Sequence, residues 1–171
     1  ILNLNKKKVA SIGTLGIKTH KGKININNTT LDPILLNNHL KKIKKLNIDN
    51  VILEASSHGL KQNRLDGIDL KTGVFTNLSH DHLDYHKSFK NYLNSKLILF
   101  RSLLKKNSNV ITDIDIPEYN IIKNISKKKN HKLSTIGLKK SDLELLKHNY
   151  KDEKKLLKIK YKNKTYDIVV N

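Results

Sequence analysis

The chain has 171 residues, of which 37% are hydrophobic and 29% charged, enough for one domain with a buried core. It contains no cysteine, which excludes disulfides and thiolate metal sites, and no apolar run approaches the ~20 residues of a membrane-spanning helix. The formal net charge of +19 is nearly all lysine, because Arg64 and Arg101 are the only arginines. Since the lysines are scattered, we interpret this charge as a compositional surface feature, with a basic nucleic-acid-binding module as the non-enzyme alternative.

Short apolar runs alternate with helical patterns along the chain. Strands are predicted at residues 8–12, 24–26, 51–53, 73–75, 109–112 and 132–136. Helices are predicted after Asp32-Pro33, an N-cap followed by a first-turn proline, and at residues 88–104 and 116–125. This alternation indicates an α/β fold with a mostly parallel sheet flanked by helices. Residues 156–161 and 165–170 predict a small C-terminal β-hairpin appendage.

A carboxylate and several polar side chains follow the third predicted strand. Glu54 ends an apolar run, where a carboxylate is costly unless a cation or donors compensate it. Ser56, Ser57 and His58 come next, but without a Gly-x-Ser-x-Gly elbow we favour hydroxyl contacts to a ligand over nucleophilic catalysis. Arg64 carries a planar fork suited to a carboxylate or phosphate. Because ligands of open parallel sheets bind at the carboxyl ends of strands, we expect one shared site there.

Two other segments suggest phosphate or metal chemistry. Residues 13–19 resemble a phosphate loop, but Ile17 separates Gly16 from Lys18, so a glycine turn after a strand is favoured. The histidine loop has candidate metal ligands and suggests a metal-dependent hydrolase as the alternative enzyme. Those ligands are His80, His82, Asp84 and His86.

Lys96 falls inside an apolar stripe of the helix predicted at 88–104. A buried amine has a lowered pKa, and a neutral amine near metal ions can react with carbon dioxide to give a carbamate, an anionic oxygen ligand. The other interpretation is a lysine that extends from the edge of the stripe to solvent. Spacing alone leaves both open.

Taken together, these segments resemble the central domain of the Mur ligase family. The resemblance rests on residues 54–60 (Glu-Ala-Ser-Ser-His-Gly-Leu), on 62–64 (Gln-Asn-Arg) and on 75–86, followed by Tyr92 and Lys96. Residues 13–16 and 28–30 fit the same pattern, and the match covers most of residues 9–136. His80 stands where the family commonly has arginine.

The resemblance implies an ATP-dependent amide ligase of peptidoglycan precursor synthesis. ATP would phosphorylate the D-glutamate carboxylate of UDP-MurNAc-L-Ala-D-Glu. A diamino acid, meso-diaminopimelate or else L-lysine, would then attack the acyl phosphate. By family pattern, the residues that hold the muramoyl-peptide are Asn28, Thr29, Thr30, Ser56, Gln62 and Arg64. Glu54 and His82 would bind Mg²⁺, and a carbamylated Lys96 would complete the metal site as the catalytic residue.

The resemblance also implies which part of a longer protein this chain represents. The chain starts at Ile1 with neither an initiator methionine nor a signal-peptide pattern, so we expect a piece of a longer protein. Residues 1–171 would be part of the ATP-binding central domain without its phosphate loop, and without the N-terminal UDP-binding and C-terminal ligase domains. We expect a cytoplasmic monomer that binds neither nucleic acid nor membrane, and a chain that is inactive by itself.

Overall fold

The computed structural model describes residues 6–79, 81–151 and 154–170. These residues fall into two units, one built from Ile1–Ile68 with His82–Ile98 and the other from Asp69–Asp81 with Leu99–Asn171. In the described part of the chain, no helix is both long and apolar enough to cross a membrane.

The first unit has a mixed four-stranded sheet of order β3-β2-β1-β4. Its strands are β1 (Val9–Gly13), β2 (Gly16–Thr19), β3 (Gly22–Ile24) and β4 (Asn50–Leu53). Strands β1 and β4 run parallel, whereas β2 is antiparallel to both of its neighbours. The parallel pair brings the carboxyl ends of β1 and β4 to one edge of the sheet, which is where the polar residues of the candidate site begin.

The described residues of this unit also form four helices: α1 (Pro33–Lys45), α2 (Ser57–Lys61), α3 (Leu83–His86) and α4 (Phe89–Ile98). The Asp32 carboxylate accepts from the backbone N–H groups of Ile34 and Leu35 at 3.0 Å, which confirms the predicted N-cap. Leu36 and Ile43, two turns apart on α1, are buried in the core.

The second unit is a six-stranded sheet of order β10-β9-β8-β7-β6-β5. Its strands are β5 (Thr72–Phe75), β6 (Asn109–Asp113), β7 (Lys132–Gly137), β8 (Leu143–Lys151), β9 (Lys154–Tyr161) and β10 (Lys164–Val170). Strands β5 to β8 are parallel and β8 to β10 are antiparallel. The helix α5 (Tyr119–Lys128) buries Ile122 and Ile125. The α/β class and the C-terminal hairpin are confirmed, and β8 extends that hairpin to three antiparallel strands.

Several boundaries differ from the prediction. The strand predicted at 24–26 is observed at Gly22–Ile24, where it pairs with β2. Strand β2 has only four residues and was not recognised in the sequence, so the position of its partner strand could not be predicted. The helix predicted at 88–104 is α-helical over Phe89–Ile98 and π-helical over Leu99–Leu103. The third predicted helix begins at Tyr119 instead of 116, since a residue that precedes proline, here Ile116, is disfavoured in the α region.

Candidate functional site

Glu54 follows β4 directly and turns its carboxylate towards the end of β1. The backbone N–H and the hydroxyl of Thr14 both donate to Glu54 Oε2, at 2.8 and 3.0 Å. Among the described residues no hydrogen bond reaches the other carboxylate oxygen, Oε1. Gly13 makes this approach possible, because a Cβ there would lie 2.5 Å from Glu54 Oε2. The glycine turn predicted at 13–16 is therefore the β1–β2 connection and the support of Glu54.

The two threonines of the 28–30 segment have different environments. Thr29 Oγ1 lies 3.0 Å from Thr14 Oγ1. Because the Thr14 hydroxyl donates its one proton to Glu54, the Thr29 hydroxyl must donate to Thr14. The lone pairs of Thr29 Oγ1 therefore remain available as acceptors. Thr30 is 1% exposed, and its hydroxyl donates to the Glu54 carbonyl and accepts from the Ser56 N–H, both at 2.9 Å. Asn28 is exposed.

Arg64 and Ser56 also contact this segment through the backbone. Arg64 Nη1 donates to the Thr30 carbonyl at 2.7 Å, which anchors one end of the guanidinium. Ser56 Oγ accepts from the Gly59 N–H at 3.1 Å and N-caps α2. Its own hydroxyl proton has no acceptor among the described residues, so it can serve a ligand. Four of the six predicted muramoyl-peptide residues, namely Thr29, Thr30, Ser56 and Arg64, thus share one hydrogen-bonded framework with Glu54, and a fifth, Gln62, bonds to α3.

That link to α3 is made by Gln62, which ends α2. Its side-chain Nε2 donates to the Tyr85 hydroxyl at 3.0 Å. The ring of His58, also on α2, lies 4.0 Å from the Tyr85 ring centroid, and Lys61 Nζ lies 4.8 Å from it. His58, Lys61 and Gln62 are i, i+3 and i+4 on one helix and therefore share the face that contacts Tyr85.

His82 begins α3 in a left-handed conformation with φ of 57°. Its ring meets His58 at 5.1 Å and Tyr92 at 5.8 Å, both edge-on. Lys96, one turn after Tyr92 on α4, is half-buried and holds its Nζ 5.2 Å from the Tyr92 ring centroid. Tyr92 therefore contacts both predicted metal-site residues of this region.

His86 is fully buried between two serines. Its Nε2 lies 2.9 Å from Ser57 Oγ and its Nδ1 lies 3.3 Å from Ser95 Oγ. Ser57 is itself 4% exposed, so this serine–histidine pair cannot reach a substrate. Burial is the main reason why the pKa of His86 lies below its ordinary value of 6.5, and the nearby His58 lowers it further. Burial, followed by the charge of His82, likewise lowers the pKa of His58.

These contacts do not support the alternative of a metal-dependent hydrolase at the histidine loop. His80 lies outside the described residues, and both ring nitrogens of His86 face serine hydroxyls. Within residues 6–79, 81–151 and 154–170, no group of three or more His, Asp or Glu side chains is arranged to hold a metal ion.

Comparison with known proteins places the chain in a family. The family model of the Mur ligase middle domain matches residues 1–171. The chain belongs to the Mur ligase family.

Three relatives of the chain share one name. A UDP-N-acetylmuramoyl-L-alanyl-D-glutamate--2,6-diaminopimelate ligase of Rickettsia rickettsii is 37% identical over 94% of this chain and 34% of its own length. That of Chelativorans sp. (strain BNC1) is 33% identical over 94% of this chain and 33% of its own. That of Leptospira borgpetersenii serovar Hardjo-bovis is 45% identical over 62% of this chain. The chain thus spans about a third of the length of the first two relatives.

Solved structures agree on the fold. A structure of a UDP-N-acetylmuramoyl-L-alanyl-D-glutamate--2,6-diaminopimelate ligase superimposes with a TM-score of 0.83 at 27% identity, over 98% of this chain and 34% of that one. The MurF ligase of Thermotoga maritima gives a TM-score of 0.67 at 14% identity over 98% of this chain and 35% of its own, and shows the fold alone.

The residues of this Mur ligase domain can be tested for fit to a divalent cation. Glu54 fits a hard cation, because both of its hydrogen-bond donors meet at Oε2 and leave Oε1 as a ligand oxygen. His82 adds an imidazole, and Lys96 would add oxygens only as a carbamate. The donor set is therefore compatible with Mg²⁺ when Lys96 is modified.

Sequence reasoning missed three residues of the site: Thr14, Tyr85 and His86 in its buried role. Thr14 lies in the predicted glycine turn. Its position after β1, beside a parallel strand that ends in a glutamate, is a signal from which its contact with Glu54 could be predicted. Tyr85 lies between two candidate metal ligands of the histidine loop, Asp84 and His86, and no local pattern marks it as a contact of α2. For His86, nothing in the local sequence distinguishes a buried histidine from a ligand.

Proposed function

We propose that the complete protein containing this chain is an ATP-dependent amide ligase that adds meso-diaminopimelate to UDP-MurNAc-L-Ala-D-Glu. The observation that carries the proposal is the shared name of the relatives that match 94% of the chain at 33 to 37% identity. Because these relatives are named 2,6-diaminopimelate ligases, we prefer diaminopimelate to L-lysine as the amino acid. The substrates are ATP and a UDP-linked precursor, so we place the reaction in the cytoplasm.

The proposed reaction requires two negatively charged groups, a carboxylate and a phosphoryl group, to approach each other. The D-glutamate carboxylate attacks the γ-phosphoryl group of ATP, ADP leaves, and the amine of the diamino acid displaces phosphate from the resulting acyl phosphate. Bound Mg²⁺ would neutralise charge on the phosphoryl oxygens. Glu54, His82 and carbamylated Lys96 are the residues that would hold it.

The residues of this chain have distinct tasks in that reaction. Thr14 fixes Glu54 by two hydrogen bonds to one oxygen, so that the carboxylate has one orientation. Arg64, anchored on the Thr30 carbonyl, supplies a fixed positive charge for an anionic group of the muramoyl-peptide. Thr29 offers acceptor lone pairs and Ser56 offers a hydroxyl proton to that substrate. Thr30, which is buried with both hydroxyl roles filled, positions its neighbours.

The matched length gives a further proposal. Since the chain covers about a third of its relatives, we propose that the phosphate loop and the residues that select the diamino acid lie outside residues 1–171. The 171-residue chain by itself would then show no turnover.

The test is phosphate release by the complete protein with ATP, Mg²⁺ and UDP-MurNAc-L-Ala-D-Glu, and with meso-diaminopimelate or L-lysine supplied separately. We expect release that depends on diaminopimelate, and mass spectrometry should show the tripeptide product. Release that depends on L-lysine alone would correct the substrate. Folded protein with an intact phosphate loop that releases phosphate with neither amino acid would overturn the ligase assignment.

A further inference from the structure

His86, at the end of α3, is bonded to α4 through both its side chain and its backbone. Ser95 Oγ donates its one proton to the Asn91 carbonyl at 2.8 Å, so it must accept from His86 Nδ1, which lies 3.3 Å away. The Asn91 side chain donates in turn to the His86 carbonyl at 3.1 Å. Ser95 directly precedes Lys96 on α4. The backbone that carries Lys96 is therefore tied to His86.

His86 also contacts His82 and the aromatic ring that lies next to both predicted ligands. Its backbone N–H donates to the His82 carbonyl at 3.0 Å. Its ring stacks on that of Tyr92, with 5.1 Å between the centroids and 23° between the planes. Tyr92 is buried, meets the His82 ring edge-on at 5.8 Å and lies 5.2 Å from Lys96 Nζ. His86 thus supports His82 and Lys96 by two routes each, one through the backbone and one through Tyr92.

Two ligands on different helices need a common support if they are to bind one cation. His82 begins α3 and is exposed, and Lys96 lies in α4 and is half-buried, whereas His86 is fully buried and reaches neither solvent nor substrate. Resting on the proposed function, we infer that His86 is a positioning residue of the cation site, which holds His82 and Lys96 in place relative to each other before the cation binds. Residues that support metal ligands in this way contribute about tenfold to a hundredfold to metal affinity.

The alternative is a buried histidine that only stabilises the fold, and the chain offers a matched control for it. His131 belongs to the other unit, is 8% exposed, and its Nε2 lies 3.2 Å from the Phe100 carbonyl. His131→Asn should lower the melting temperature and leave the affinity for the cation unchanged. It therefore measures the effect of lost stability alone.

The experiment measures Mn²⁺ binding by the complete protein, because Mn²⁺ takes the same oxygen ligands as Mg²⁺ and its paramagnetic resonance signal gives the free ion. Mn²⁺ is titrated with bicarbonate and UDP-MurNAc-L-Ala-D-Glu present and without a nucleotide, which would itself bind the ion. His86→Phe keeps a ring on Tyr92 and loses the donor to Ser95, so the Kd for Mn²⁺ should rise about tenfold to a hundredfold. His86→Asn keeps a donor for Ser95 and should show a smaller rise.

Ser95→Ala tests the same support from α4, where alanine favours the helix. It removes the acceptor of His86 Nδ1, and we expect the Kd for Mn²⁺ to rise about threefold to tenfold, the effect of one neutral hydrogen bond. Calorimetry should give an unchanged Kd for UDP-MurNAc-L-Ala-D-Glu in this variant. The Mg²⁺ concentration for half-maximal phosphate release should rise in parallel with the Kd for Mn²⁺.

Three results would overturn the inference and leave the ligase assignment intact. One is unchanged Mn²⁺ affinity in folded His86→Phe or Ser95→Ala, and another is an equal loss of affinity in His131→Asn. The third is a wild-type protein that ligates its substrates but binds no Mn²⁺ without nucleotide, because the ligands would then not be in place beforehand. A wild-type protein that neither binds Mn²⁺ nor ligates would instead overturn the proposed function.

Discussion

Ser57 and His86 form a buried hydrogen bond of 2.9 Å, and its direction depends on the contact between Ser95 and the other ring nitrogen of His86. Ser95 Oγ donates its only proton to the Asn91 carbonyl at 2.8 Å and must therefore accept from His86 Nδ1. His86 thus carries a proton on Nδ1. Because burial keeps its pKa below the ordinary value, we expect the neutral ring, in which Ser57 donates to the bare Nε2. This chain of bonds joins α2, α3 and α4, the three helices on or beside which Ser56, Tyr85 and Lys96 lie.

The neutral state of His86 predicts a pH dependence of stability. Its folded-state pKa lies below the ordinary 6.5, so the unfolded chain binds the proton more readily. The stabilising contribution is complete above pH 6.5 and is lost as the pH falls from there through the folded-state pKa. We expect the urea midpoint of the complete protein to fall over this range more steeply than that of His86→Asn.

The matched control for this prediction is His148→Gln, which replaces an exposed histidine and should leave the slope unchanged. Nitrogen-15 shifts of the His86 ring should show protonated Nδ1 and bare Nε2. A ring protonated on Nε2 would contradict the assignment of donors.

The close contact between Gly59 and Thr30 predicts a steric clash next to the proposed substrate-binding residues when Gly59 is replaced. A Cβ at this helical position would lie 2.6 Å from Thr30 Cβ and 2.7 Å from Thr30 Cγ2. Gly59→Ala should therefore destabilise the protein by about 1–3 kcal/mol, the usual cost of overpacking, despite the higher helix propensity of alanine. Thr30→Ser in the same chain removes Cγ2, keeps the hydroxyl and should restore part of the loss. Thermal melting measures both effects, and an unchanged midpoint for Gly59→Ala would show that Thr30 can move.

Local patterns predicted much of the fold. The cap at Asp32 and the strand that precedes Glu54 depend on neighbouring residues and were predicted. Strand β2 was not, because its residues fold against β1 and β3 rather than by their own propensity.

For the candidate site, the sequence predicts which residue types are present but not which residues they contact. A strand-end glutamate, an arginine and a lysine in an apolar stripe are visible in the sequence. Their hydrogen bonds are not, because Thr14 meets Glu54 across 40 positions and Ser57 meets His86 across 29. Such pairings depend on the parallel register and on helix packing, which no local pattern specifies.

The support of Glu54 gives a prediction about Thr14. Thr14→Val removes the hydroxyl that donates to Glu54 Oε2 and accepts from Thr29, but it keeps the backbone donor. A hydrogen bond to a charged group contributes about 1.5–3 kcal/mol, so kcat/KM for phosphate release should fall roughly tenfold to a hundredfold. Thr14→Ser retains the hydroxyl and should stay within a few-fold of the wild type. A loss in Thr14→Ser as large as that in Thr14→Val would contradict the assignment to the hydroxyl, because serine keeps it.

Substitution of Lys96 distinguishes a carbamylated metal ligand from a structural cation. Its Nζ lies 5.2 Å from the Tyr92 ring centroid, an arrangement compatible with a cation on an aromatic ring or with a modified amine near the predicted metal ligand His82. Lys96→Arg preserves a cation for the ring but cannot form the lysine carbamate. If the carbamate binds Mg²⁺, we expect kcat to fall at least about a hundredfold, the scale of losing one preorganised electrostatic group. An arginine variant that retains most activity would instead assign Lys96 a structural role as a cation. Carbon-13 NMR after addition of labelled bicarbonate gives an independent readout, since the wild type should show a carbamate signal that the arginine variant lacks.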